Sequence, residues 1–127
     1  MGKRILVVDD ESHILHVLSM KLQNAGFEVV TAMDGEEALD ICLAEPPDLL
    51  ITDYQMPLLS GLDLCRELRK HDHTRSIPAI MLTARGFTLE PDEMRQAGIR
   101  EVMAKPFSPR EILEKVSQLT GEAQVAH

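Results

Sequence analysis

Residues 5–11 read ILVVDDE, a run of four apolar side chains followed at once by three acidic ones. The apolar run is short and rich in Val, Ile and Leu, as in a strand that is covered on both faces of a parallel sheet. Carboxylates at the end of a buried strand lose hydration and repel one another, so they are costly unless a positive charge compensates them. The stretch therefore predicts either a solvated turn or a cation site at a strand end.

Four further apolar runs follow the first one along the chain. We predict strands at 5–8, 27–32, 49–52, 79–84 and 101–104. Helical spacing of apolar residues predicts helices at 12–25, 35–45, 62–70, 91–97 and 109–119. Strand and helix thus alternate five times, which indicates right-handed crossovers and an α/β fold with a doubly wound five-stranded parallel sheet and helices on both faces.

Two of the predicted helices begin with a capping box. Asp34 precedes the second helix with Glu37 three positions on, and Ser108 precedes the fifth helix with Glu111 in the same relation. Pro109 suits the first position of the fifth helix, where its missing N–H costs nothing. These signals fix the starts of the second and fifth helices.

Size and charge limit the classes of function. A chain of 127 residues fits one domain, and we assign residues 1–120 to it and residues 121–127 to a disordered C-terminal tail. The net charge of −8, without a basic block, argues against direct contact with nucleic acid or an anionic membrane surface. The absence of a long apolar run or secretory signal predicts a cytoplasmic location. Cys42 and Cys65 are expected to be buried apolar residues without a function of their own.

Polar residues stand where the predicted strands end. The first strand ends at Asp9 and Asp10, the third at Asp53, the fourth at Thr83, and the fifth at Lys105. In open α/β sheets ligands bind beyond the carboxyl ends of the strands, so we expect these side chains to meet there. Three carboxylates could hold Mg²⁺, an ammonium and a hydroxyl could bind a phosphoryl group, and a carboxylate can act as a nucleophile that forms an aspartyl phosphate.

Each of these residues has an ordinary structural explanation when it is taken alone. An Asp-Asp pair after a strand commonly caps a helix, a lysine before proline is commonly solvated, and a threonine at a strand end commonly caps the next helix. Their coincidence at one edge of one sheet favours a functional site.

Four stretches resemble one known family. They are ILVVDDE at 5–11, DLLITDYQMPLLSGLDL at 48–64, PAIMLTA at 78–84 and KPFSPREIL at 105–113. In this order and spacing they resemble the receiver domain of two-component response regulators, which has a flavodoxin-like fold. The resemblance covers about residues 3–119.

The resemblance implies a role for each matched residue. Asp53 would be the phosphoacceptor, Asp10 a direct ligand of Mg²⁺, Asp9 a residue that acts through a metal-bound water, and the backbone carbonyl of Gln55 a further ligand. Thr83, Lys105 and the backbone N–H of Ala84 would bind phosphoryl oxygens, and the peptide bond before Pro106 would be cis.

The resemblance also implies the partners. The phosphoryl donor would be a phosphohistidine of a sensor histidine kinase or a histidine phosphotransfer protein, and hydrolysis by water would follow. The fourth helix, fifth strand and fifth helix would contact a downstream protein target or an output domain. The chain would not be an enzyme beyond this self-phosphorylation and self-dephosphorylation, and whether it forms a homodimer stays open.

One position departs from the family pattern. The family usually has an aromatic residue three positions before the lysine, where this chain has Val102, so switching is expected to run through Thr83 and the loop 84–91. Gln55 and Arg85 occupy the two positions at which the family varies its dephosphorylation rate, and Arg85 could shield the phosphate or point into solvent.

Three alternatives remain open. One is a degenerate receiver used as a docking module, although all five site residues are present. A small Mg²⁺-dependent phosphatase is disfavoured because the D-x-D pattern expected at its nucleophile is missing. A flavin-binding flavodoxin relative is weaker still, because DDE would repel a phosphate.

Overall fold

The computed structural model describes residues 2–121. Except for Gly121, the predicted tail lies outside the described residues, and the division into a domain and a tail stays a prediction. The strands are β1 (Arg4–Val8), β2 (Glu28–Ala32), β3 (Leu49–Asp53), β4 (Ala79–Thr83) and β5 (Ile99–Ala104). The helices are α1 (Ser12–Asn24), α2 (Gly35–Ala44), α3 (Gly61–Leu68), α4 (Pro91–Ala97) and α5 (Pro109–Thr120).

All five strands form one parallel sheet in the order β2-β1-β3-β4-β5. The chain moves outward from β1 to β2 and then returns across β1 to β3. The strand order therefore reverses next to β1, which is where open α/β sheets bind their ligands. The predicted flavodoxin-like doubly wound architecture is confirmed.

Alternate residues of each strand enter two apolar cores, one on each face of the sheet. Leu6 and Val8 pack with α2, α3 and α4 on one face, whereas Ile5 and Val7 pack with α1 and α5 on the other. Cys42 and Cys65 lie buried in the first core as predicted, and burial raises the pKa of Cys42 to about 11. Across residues 2–121 no helix is long and apolar enough to cross a membrane.

The capping side chains of α2 and α5 both accept their predicted hydrogen bonds, but neither capping box closes as predicted. In α5 the return bond from the N–H of Ser108 to the side chain of Glu111 does not form. The carboxylate of Asp34 accepts a hydrogen bond from the N–H of Glu37 at 2.8 Å. Glu37 in turn accepts from the N–H of Met33, one residue before the cap, rather than from Asp34 itself. The hydroxyl of Ser108 accepts from the N–H of Glu111 at 3.5 Å, so α5 begins where its sequence predicts.

Helix α3 ends at Leu68, two residues earlier than predicted, at a point where an arginine folds back. The guanidinium of Arg69 donates to the carbonyls of Cys65 at 3.2 Å and Ile77 at 2.6 Å, and also to that of Arg75. It thereby ties the end of α3 to the segment that leads into β4. The sequence predicts no such role for this residue.

A β-bulge lies at the start of β5. Ala79 pairs with Ile99 and Ile80 pairs with Glu101, so Arg100 has no partner in the ladder. The pairs before and after this extra residue both belong to the sheet, which is why β5 begins two residues earlier than the predicted 101. Regular pairing then continues to Thr83 and Ala104 at the end of the strand.

Candidate functional site

The five predicted polar residues all lie at the carboxyl edge of the sheet. Asp9 and Asp10 directly follow β1, Asp53 ends β3, Thr83 ends β4 and Lys105 directly follows β5. Because β1 pairs with β3, the carboxylates of two neighbouring strands come together at the point where strand order reverses. The structure therefore assembles the group that the sequence places at strand ends.

The three aspartates form one carboxylate cluster. Each offers an oxygen atom, and these atoms lie within 4.8 Å of one another. Asp9 is fully buried, Asp53 is 8% exposed and Asp10 is open to solvent. One oxygen of Asp9, Oδ1, accepts a hydrogen bond from the N–H of Glu11 at 2.9 Å, while Oδ2 is buried and accepts none. Such a set of carboxylate oxygens suits a hard divalent cation.

Lys105 provides the positive charge within this cluster. Its ammonium lies 2.9 Å from Oδ2 of Asp9 and 3.5 Å from Oδ1 of Asp53. A third contact, 3.1 Å long, joins it to the carboxylate of Glu11. The contact with Asp9 lacks the alignment of a hydrogen bond, so we treat it as an ion pair. Glu11 is a partner of Lys105 that was not predicted, although its place as the third acid of DDE was a signal for it.

Burial and charge shift the pKa values of these groups. Burial first, and then the neighbouring charge of Asp9, raise the pKa of Asp53 to about 6 against the opposing effect of Lys105. Burial also raises the pKa of Asp9, against the opposing effects of the Glu11 N–H and Lys105. For Lys105 burial lowers the pKa, but the contacts with Asp9 and Glu11 outweigh burial and leave the pKa raised. The carboxylates are therefore crowded and the lysine is held as a cation.

Thr83 presents a hydroxyl that lacks a partner in the structure. The residue is 1% exposed, and its Oγ1 is buried without a hydrogen bond. Its carbonyl accepts a hydrogen bond from the N–H of Lys105 at 2.7 Å, and the peptide bond between Lys105 and Pro106 is cis, as expected. Buried hydroxyls normally find a partner, so this one is available to a ligand oxygen.

The site opens to solvent through a cleft of about 410 Å³. Its lining includes Asp10, Asp53 and Lys105 together with Gln55 and Ala84, the two residues with predicted backbone roles. Two aromatic side chains, Tyr54 and Phe87, complete the wall, and neither was expected there from the sequence. The cleft therefore presents three carboxylates, from Asp10, Glu11 and Asp53, and the ammonium of Lys105 to whatever enters it. The free hydroxyl of Thr83 is buried one residue before Ala84, which lines the cleft.

This arrangement suits transfer of an anionic group to a carboxylate. Asp53 is the one buried aspartate that also lines the cleft, which makes it the accessible nucleophile of the cluster. Lys105 and Thr83 stand where they can stabilise negative oxygens on the transferred group.

The chain belongs to the family of response regulator receiver domains, which it matches over residues 5–117. It is thus a receiver domain of the two-component response regulator class, as the four sequence stretches indicate. Among curated relatives, it is 39% identical over 126 residues to the alkaline phosphatase synthesis transcriptional regulatory protein PhoP of Bacillus subtilis. That match covers 99% of this chain and 52% of the relative, so the chain spans about half the length of that protein.

Solved structures give the same result. The chemotaxis response regulator CheY4 of Vibrio cholerae superimposes with a TM-score of 0.86 at 31% identity, covering 94% of this chain and 99% of that one. The receiver domain of a sensor histidine kinase from Pseudomonas aeruginosa gives a TM-score of 0.84 at 29% identity, covering 95% and 99%. In that structure a magnesium ion is coordinated in the active-site cleft.

Proposed function

We propose that Asp53 accepts a phosphoryl group in a reaction that depends on Mg²⁺. The observation that carries this proposal is the position of the Asp53 carboxylate, nearly buried at the cleft, 3.5 Å from the ammonium of Lys105 and within the aspartate cluster. No enzymatic action on other substrates is proposed.

Asp9, Asp10, Asp53 and the carbonyl of Gln55 would hold the metal. Bound there, Mg²⁺ would supply positive charge to the phosphoryl oxygens. The buried Oδ2 of Asp9 supports this assignment because it accepts no hydrogen bond and has a cation, the Lys105 ammonium, as its neighbour at 2.9 Å. The magnesium ion in the cleft of the Pseudomonas aeruginosa receiver domain supports it as well.

The other site residues would bind the group being transferred. The ammonium of Lys105 would exchange part of its contact with the carboxylates for a phosphoryl oxygen, and the free hydroxyl of Thr83 would donate to another. The N–H of Ala84 would hold a third. These roles amount to positioning and charge stabilisation, which is what phosphoryl transfer chiefly requires.

The phosphoryl donor would be a phosphohistidine of a sensor histidine kinase or a histidine phosphotransfer protein. The readout would be a downstream protein target or an output domain that contacts α4, β5 and α5, in the cytoplasm, without direct contact between this chain and nucleic acid. A homodimer formed through the same surface is a further arrangement compatible with this role.

Intact mass spectrometry after incubation with acetyl phosphate and Mg²⁺ tests the proposal. We expect one phosphoryl adduct on the wild type and none on Asp53→Asn or when EDTA replaces Mg²⁺. Asp63→Asn serves as the matched control, because Asp63 is an exposed aspartate on α3 that pairs only with Arg66 at 3.7 Å. An adduct that persists in Asp53→Asn would overturn the assignment, and no adduct on a folded wild type would favour the docking module.

A further inference from the structure

A pair of aromatic rings forms one wall of the cleft beside the phosphoacceptor. The ring centroids of Tyr54 and Phe87 lie 4.4 Å apart with an angle of 38° between the ring planes. Tyr54 directly follows Asp53, and Phe87 lies four residues after Thr83. The pair therefore joins the loop after β3 to the loop after β4, the two loops that follow the nucleophile and the hydroxyl.

The two partners are held differently. The backbone of Tyr54 is fixed on both sides, because its N–H donates to the carbonyl of Leu82 at 2.8 Å and its carbonyl accepts from Gly61 at 2.9 Å. Phe87 closes a tight turn by donating its N–H to the carbonyl of Ala84 at 3.2 Å, and Gly86 within that turn has a φ of 86°. The backbone of Tyr54 is thus fixed, and the turn in the loop after β4 places the ring of Phe87 against the ring of Tyr54.

Val102 on β5 stands three positions before Lys105, where the family usually has an aromatic residue. Val102 occupies that position as a half-buried aliphatic side chain that packs in the same apolar core as Tyr54. The aromatic surface of the cleft therefore comes from Tyr54 and Phe87, in the loops after β3 and β4, instead of from β5.

We propose that the Tyr54–Phe87 pair holds the loop after β4 against the cleft and slows hydrolysis of the phosphoryl group on Asp53 by excluding water. This inference rests on the proposed function. In the hydrolysis, the oxygen of a water molecule bonds to phosphorus while the bond between phosphorus and the Asp53 oxygen breaks. The products are the free carboxylate of Asp53 and dihydrogen phosphate, which carries both protons of the water and gives up part of the second one to solvent near neutral pH. The ring pair takes no part in these bonds and acts only on the access of water.

The first test measures the half-life of the phosphoryl adduct by intact mass after acetyl phosphate is removed. Losing an aromatic pair should speed hydrolysis about threefold to tenfold in Phe87→Leu, which keeps apolar volume but lacks the ring. The separate variant Phe87→Tyr should have the wild-type half-life because it keeps an aromatic ring at this position. Phe107→Leu is the matched control, since Phe107 is a half-buried ring on the other side of Lys105, in the groove beside α1.

The second test needs neither metal nor phosphate. Tyr54 is the only tyrosine of the chain and there is no tryptophan, so tyrosine fluorescence reports on this residue alone. In the metal-free protein, iodide should quench Tyr54 about twofold to threefold more strongly in Phe87→Leu than in the wild type or in Phe107→Leu, because the covering ring is gone.

The outcomes separate this inference from the function on which it rests. An adduct on Asp53 whose half-life is the same in the wild type and Phe87→Leu would overturn the role of the rings and leave the phosphoacceptor assignment intact. Equal quenching of Tyr54 in the two proteins would also overturn it, as would equal acceleration in Phe107→Leu. If the folded wild type forms no adduct, both the proposed function and this inference fall.

Discussion

Lys105 and Asp9 form an ion pair in which the ammonium lies 2.9 Å from a carboxylate that is completely buried. In the metal-free protein the lysine therefore supplies the charge that a cation would supply in the same cluster. Removing one member of such a pair leaves the other charge buried and uncompensated, which costs more than the pair itself contributes.

Lys105→Met should for this reason destabilise the metal-free protein by about 2 kcal/mol, less than the ~3–5 kcal/mol of a fully buried pair because the lysine is partly exposed. Added Mg²⁺ should then raise the melting temperature of the variant more than that of the wild type. The control is Lys115→Met, which breaks a half-exposed pair with Glu101 of 3.7 Å and should cost less than about 1 kcal/mol. Equal losses in the two variants would contradict a special role for Lys105.

The raised pKa of Asp53 predicts that part of the stability depends on pH. Burial and the charge of Asp9 raise this pKa from 3.8 to about 6, so between these values the unfolded chain has already lost the proton that the folded protein still holds. Stability of the wild type relative to Asp53→Asn should therefore fall as pH rises from about 4 to about 6, and level off above it.

Urea unfolding of the two proteins in EDTA at several pH values measures this difference. Above pH 6 we expect Asp53→Asn to be the more stable protein by about 1–3 kcal/mol. A difference that does not change with pH would show that Asp53 is not crowded in the folded state.

The unpartnered hydroxyl of Thr83 predicts that stability and function can be separated at this position. Thr83→Val removes a buried polar atom that makes no hydrogen bond, so the free energy of unfolding should stay the same or rise by about 1 kcal/mol. The yield of phosphoryl adduct at a fixed time should fall, because the hydroxyl that we propose as a donor to the phosphoryl group is lost.

Thr52→Val is the matched control for this experiment. Thr52 is also a fully buried threonine, but its hydroxyl donates to the carbonyl of Asp53 at 3.0 Å. This substitution should cost about 1–2 kcal/mol because it leaves that carbonyl with one partner fewer. If both variants lose stability equally, the Thr83 hydroxyl must have a partner in solution.

Gly98 ends α4 in a left-handed conformation with a φ of 74°, and a Cβ there would lie 2.5 Å from a terminal nitrogen of Arg69. Gly121 ends α5 with the same φ, but a Cβ there would meet no atom of residues 2–121 within 4 Å. Gly98→Ala should therefore cost about 2–3 kcal/mol and Gly121→Ala only the ~1 kcal/mol of backbone strain. Thermal unfolding compares them, and adduct formation on Asp53 should be unchanged in both. Equal costs would mean that Arg69 moves aside freely.

Local signals were enough to predict the fold, because strand and helix carry different apolar spacings in this chain. The start of α5 follows from Ser108 and Pro109, and the end of β3 follows from the polar Asp53 after four buried residues. The predicted strand ends then indicate which side chains meet, because the carboxyl ends of parallel strands lie at the same edge of the sheet.

Contacts between distant parts of the chain were not predictable in the same way. The pairing of Lys105 with Glu11 and the stacking of Phe87 on Tyr54 depend on how two loops approach each other, and no local pattern encodes that distance. The early end of α3 has the same origin, because Arg69 finds its acceptors at Ile77, across a loop.

The bulge at Arg100 has a consequence for the direction of Lys105. Side chains alternate along a strand, so a register change of one residue would turn the lysine to the opposite face of the sheet. The side of the sheet to which Lys105 points is thus determined by Arg100, a single unpaired residue five positions earlier and about 16 Å away along the strand. If Arg100 entered the ladder instead of bulging out, every later residue of β5 would move on by one position and the ammonium would turn away from the carboxylates. Deleting Arg100, by contrast, would close the bulge and leave the pairs from Glu101 onward unchanged, so the cation site tolerates the loss of this residue but not its pairing.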